Sequence, residues 1–127
     1  MRRNEQRREA VFALYQHDLT GRALEETLPR DATVLTRAIA YATEDYRDEI
    51  DELISRHARG WSLDRIAPLE RSILRVALHE MQSRADVPDE VAIDEAIEAA
   101  KELCSAEAPK FVNGILGAAR RERVGTG

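Results

Sequence analysis

The chain has 127 residues, 43% of them hydrophobic and 34% charged, with a formal net charge of −5. That length supports one domain with a real core, and the mixture argues against disorder. No apolar run approaches the ~20 residues of a membrane span. The N-terminus has no apolar leader, so the cytoplasm is the expected location.

Residues 3–20 are predicted to form the first helix, with Val11, Leu14, Tyr15 and Leu19 as its core stripe and Phe12 beside it. Arg3 and Arg7 lie four apart and share a side, and Arg8 is offset by one position. Thr20-Gly21 is a C-terminal stop, and residues 22–30 read as a connector. Asp31 is the expected cap of a second helix to about residue 46, with Val34, Leu35, Ala38, Ile39 and Ala42 buried. A third helix is expected over about 45–59 through Tyr46, Ile50, Leu53, Ile54 and His57. The charged break at 43–48 favours two helices over one bent one. Arg59-Gly60 reads as a cap, Trp61 as a wedge between elements, and Ser62 as the start of a short turn.

The stretch from Ile66 to Met81 is the expected hub. Pro68 suits a first helical turn. Apolar residues then cover more than one helix face, leaving a wet strip only through Arg71, Arg75, His79 and Gln82. After a turn at Val87-Pro88, Val91 and Ile93 are either extended, with Asp94 capping the next helix, or lie in a helix that starts at Asp89. The last helix, about 106–122, carries Phe111, Val112, Ile115, Leu116 and Ala119. Gly114 and Gly117 each cost about 1 kcal/mol relative to Ala, which close approach of another helix or a ligand would explain. The fold class is therefore all-α.

Little in this sequence points to catalysis. It has no glycine-rich phosphate loop, and His17, His57 and His79 lack a partner at metal-ligand spacing. Cys104 is the lone cysteine and reads as a small buried hydrophobe. The charge distribution is more telling. Arg2, Arg3, Arg7 and Arg8 crowd the start, Arg120, Arg121 and Arg123 crowd the end, and an acidic run spans 44–52. Basic ends around an acidic middle suggest a nucleic-acid-facing patch on an otherwise repelling surface, with solvated helix faces as the plainer reading.

Four stretches, in order, resemble the bacterial transcription antitermination factor NusB family. They are Arg7–Tyr15 (RREAVFALY), Arg65–Met81 (RIAPLERSILRVALHEM), Val87–Ile97 (VPDEVAIDEAI) with Lys101, and Lys110–Leu116 (KFVNGIL). Residues 22–60 have no distinctive match. The resemblance implies a compact single domain over 1–127, of about seven helices in two packed three-helix subbundles, with no catalysis and no cofactor. It implies binding of boxA-type single-stranded RNA in nascent ribosomal RNA, together with NusE, a protein of the small ribosomal subunit, on the elongating RNA polymerase.

By match to the family, Arg3, Arg7 and Arg8 supply the basic stretch, and Tyr15, Glu107, Lys110 and Phe111 contact RNA. Glu80, Arg84 and Asp86 match the partner-binding region. Arginines would carry the salt-dependent affinity, and aromatic rings would stack unpaired bases. For Tyr15 and Phe111 the plainer reading is core packing; for the others it is solvated charge. Two departures stand out: Asn4, Glu5 and Gln6 interrupt the basic run, and Ala108-Pro109 enters the last helix. The competing readings are a protein-interaction module and an accessory domain of a ribosomal RNA cytosine methyltransferase. The latter would require a methyl-donor-binding α/β domain, of which these residues show no pattern. A homodimer that buries the first helix is compatible with the sequence.

Overall fold

Helix α5 (Pro68–Ser83) is the axis of the molecule, in a computed structural model that describes residues 1–83 and 86–126. Every residue from Ser72 to Met81 is buried. Around it stand α1 (Arg3–Thr20), the one-turn α2 (Leu24–Thr27), α3 (Val34–Asp45), α4 (Arg47–His57), α6 (Asp89–Leu103) and α7 (Ala108–Thr126), with a 3-10 turn at Leu63–Arg65. One group joins α1, α2 and α3; the other joins α4, α6 and α7. Helices from both groups pack on α5, so the core lies along both sides of it. No strand occurs among the described residues, and no helix there is long and apolar enough to cross a membrane.

The strip expected to stay wet on α5 is mostly inside. Arg75 and His79 are each 5% exposed, and Arg71 is half-buried; only Gln82 reaches solvent. The reason is charge arriving from other helices. Arg75 donates from Nε to Asp51 Oδ1 at 2.7 Å and from Nη2 to Asp51 Oδ2 at 3.1 Å. Its Nη1 lies 3.3 Å from Asp18 Oδ2, to which Arg71 Nη2 also donates at 3.0 Å. Burial disfavours the charged form of Asp18, but Arg75, Arg71 and Arg47 outweigh it and hold the carboxyl below its ordinary range. His79 stacks against Tyr46 with ring centroids 5.9 Å apart.

The other helices follow their patterns, with local differences. In α1, Ala10, Val11, Ala13 and Leu14 are buried, whereas Phe12 and Leu19 are exposed. Gly21 takes φ 74° and closes α1 with a backbone bond to the His17 carbonyl. The connector contains α2, which sets Leu24 and Leu28 into the core. Helix α3 is capped by Thr33 rather than Asp31, with the Thr33 hydroxyl oxygen accepting from the Thr36 N–H at 3.1 Å. Val34 then faces outward, 86% exposed, and Ala38 is exposed with it. The 31–59 segment is indeed two helices, parted at Tyr46 (φ −102°, ψ 18°). Helix α6 starts at Asp89, so Val91 and Ile93 are helical. No other helix comes near Gly114: a Cβ there would meet nothing within 4 Å.

Candidate nucleic-acid interface

The arginines of α1 are all engaged. Arg7 Nε donates to both Glu80 oxygens, at 2.7 and 2.9 Å, with side-chain exposures of 8% and 2%. Arg7 and Glu80, which the resemblance made RNA-facing and partner-facing, are here buried against each other. They instead lock α1 onto α5. Arg8 keeps about a quarter of its side chain exposed and pairs with Glu102 near the end of α6. The hydrogen bond and charge of Arg8 hold the Glu102 carboxyl below its ordinary range. Arg3 is half exposed and lies 3.8 Å from Asp86 in the α5–α6 connection.

Asn4, Arg8, Val11 and Tyr15 fall at successive spacings of four, three and four, and so share one stripe of α1. Tyr15 is half-buried on that stripe. The Arg8–Glu102 pair sets the stripe beside the end of α6, and α7 begins six residues beyond Glu102, at Ala108.

At that start of α7 the surface opens into a cavity of about 270 Å³, lined by Trp61, Arg65, Ile66, Glu70, Glu107 and Phe111 among others. Phe111 is half-buried, and Trp61, 52% exposed, meets it edge to face with centroids 6.0 Å apart. Gly60, at φ 78°, turns the chain out of α4 and delivers Trp61 to this edge. Glu107 is exposed on the cavity lining, and Lys110, next to Phe111 in the chain, is exposed. Burial pushes the Glu70 carboxyl above its ordinary range. Burial and the charge of Glu70 push the Cys104 thiol up, so it is a poor nucleophile at neutral pH. The site therefore offers two aromatic faces, carboxylates that can accept hydrogen bonds and one cation, Arg65, a set suited to a planar ligand that carries hydrogen-bond donors.

Trp61, Arg65 and Glu70 were not singled out as ligand-facing by sequence. Trp61 beside a glycine was the available signal, since a tryptophan leaving a turn is placed by the turn rather than by helical periodicity. Of the C-terminal arginines, Arg120 and Arg123 are engaged. Arg120 pairs with Glu90, and Arg123 pairs with Asp89 and donates to the Met81 carbonyl, tying α7 to the start of α6. Arg84, expected at the partner surface, lies outside the described residues. Among the described residues, no group of three potential ligands could hold a metal ion.

A sequence profile described as the NusB family matches residues 4–121. Among solved structures, NusB of T. maritima is similar at 36% identity and TM-score 0.86, over 96% of this chain and 92% of that one. NusB from Aquifex aeolicus is similar at 27% identity and TM-score 0.81, over 99% and 93%. A structure of antitermination factors NusB and NusE in complex with dsRNA matches at 26% identity and TM-score 0.78, over 96% and 99%. With the profile spanning nearly all of the sequence and these folds superposing along it, the chain belongs to the NusB family.

Proposed function

We propose that this protein is an RNA-binding transcription antitermination factor that takes boxA-type single-stranded RNA of nascent ribosomal transcripts together with NusE, within the RNA polymerase elongation complex. The observation that carries the RNA reading is the Trp61–Phe111 cavity at the start of α7, with Arg8 of α1 paired to Glu102 six residues before that helix begins. A cavity of about 270 Å³ with two partly exposed rings can receive an unstacked base. Arg8, Arg3 and Lys110 are the cations placed to follow the backbone. The relative solved with NusE and dsRNA supports both partner classes. A homodimer that buries α1 would cover the Arg8 stripe and compete with RNA.

The test is a titration of fluorescent boxA-like RNA and a scrambled control, with and without NusE, over a salt series. About three phosphate contacts to a single strand give a slope of log K against log salt near −2. Phe111→Ala and Trp61→Ala each weaken binding by about 1–3 kcal/mol. Equal affinity for boxA-like and scrambled RNA, with or without NusE, would refute the assignment and leave a protein-interaction module.

A further inference from the structure

The exposed arginines on the proposed RNA face are already occupied. Arg8 holds Glu102, and Arg3 lies 3.8 Å from Asp86, so a carboxylate already stands close to each guanidinium. We propose that Glu102, and more weakly Asp86, act as resident counter-ions that RNA phosphates must displace, and that they thereby set the protein's RNA affinity.

This rests on the RNA reading above and adds to it the residues that tune binding. Arg8 meets Glu102 through one contact, Nη1 to Oε2, and a phosphate oxygen taking that donor would have to replace the carboxylate. Glu102 is suited to exchange because its side chain is 54% exposed, so it can swing into water without leaving a buried charge. Glu80 is the opposite case. At 2% exposed it cannot be released cheaply, which keeps Arg7 structural while Arg8 and Arg3 remain exchangeable. Pairing lowers the Glu102 carboxyl and raises the Arg8 guanidinium, so the contact is charged on both sides at neutral pH.

The full chain carrying Glu102→Gln should bind boxA-like RNA about two- to five-fold more tightly, the range expected on removing a competing exposed ion pair. Asp86→Asn should give a smaller gain. Both gains should shrink as salt rises, because salt screens the pair that each substitution removes. Glu98→Gln is the control for nearby charge without the direct contact: Glu98 lies one turn away, equally exposed, pairs with Lys101, and acts on Arg8 through its charge alone. The exchange also predicts that Glu102→Gln in an Arg8→Gln background gains no more than Glu98→Gln does. Thermal unfolding confirms that each variant is folded. If wild type binds RNA but Glu102→Gln matches Glu98→Gln in both backgrounds, the counter-ion role is wrong and the RNA reading stands. If wild type shows no RNA binding, both are overturned.

Discussion

Asp18→Asn tests whether charge buried between helices holds this fold together. The Asp18 carboxylate serves Arg71 at 3.0 Å and Arg75 at 3.3 Å, with Arg47 at 3.8 Å, so one side chain of α1 reaches both α4 and α5. Removing one partner of a buried pair costs about 3–5 kcal/mol. Two features reduce that here. Arg75 keeps both oxygens of Asp51, and Arg71 still donates to the Leu63 and Ile66 carbonyls at 3.2 Å each. The expected loss is therefore about 2–3 kcal/mol at pH 7, or roughly 6–10 °C in Tm for a chain of this size. The pH dependence has a definite sign. The folded-state pKa of Asp18 lies below its ordinary value. Its contribution is thus complete above the unfolded carboxylate range, near pH 4, and is lost as pH falls through the folded pKa. Urea unfolding of both proteins from pH 7 down to the acid limit should show a gap that closes on acidification. A gap under about 0.5 kcal/mol at pH 7, or one that does not change with pH, would refute the argument.

Three further outcomes follow from single contacts. Glu80→Ala strands the buried Arg7 guanidinium and should cost about 3–5 kcal/mol in denaturant unfolding; a loss below 1 kcal/mol would show that Arg7 finds another partner. Thr33→Ala removes the cap of α3 and should cost about 1 kcal/mol, whereas Asp31→Ala should be nearly silent in the same assay. Gly114→Ala places a methyl in open space within a helix and should raise stability by about 0.5–1 kcal/mol. A melting point lowered by this change would reveal strain that the geometry does not show.

The helices were legible because their apolar spacing is local. The hub at 66–81 and the α3–α4 break at Tyr46 could be read from neighbours within a few residues. What escaped depends on residues far apart in the chain. Arg75 reads as a solvent-facing position on α5 until Asp51 and Asp18 are brought to it, 24 and 57 residues earlier. Arg7 belongs to a basic run by sequence and to the interior by its pairing with Glu80, 73 residues away. Periodicity also overstates burial at the edges of a stripe. Leu19 and Val34 fit the spacing but fall where no second helix covers them. The site was half visible: Phe111 came from resemblance, while Trp61 joined it through the turn at Gly60 and Glu70 through the start of α5.

The burial of α5 on all sides also governs how the protein is made. Synthesis proceeds from the N-terminus, so α1, α3 and α4 emerge before residues 68–83 exist. Their apolar faces, including Leu14, Ile39 and Ile54, then have no wall to close against. At about 5–20 residues per second, the interval between completing α1 and completing α5 is roughly 3–13 s. During that interval the nascent half-molecule is a set of amphipathic helices without a centre, and it is the state most in need of protection by a chaperone. Once α5 leaves the ribosome, the α1–α3 group can condense on it, and α6 and α7 close the other side as they follow.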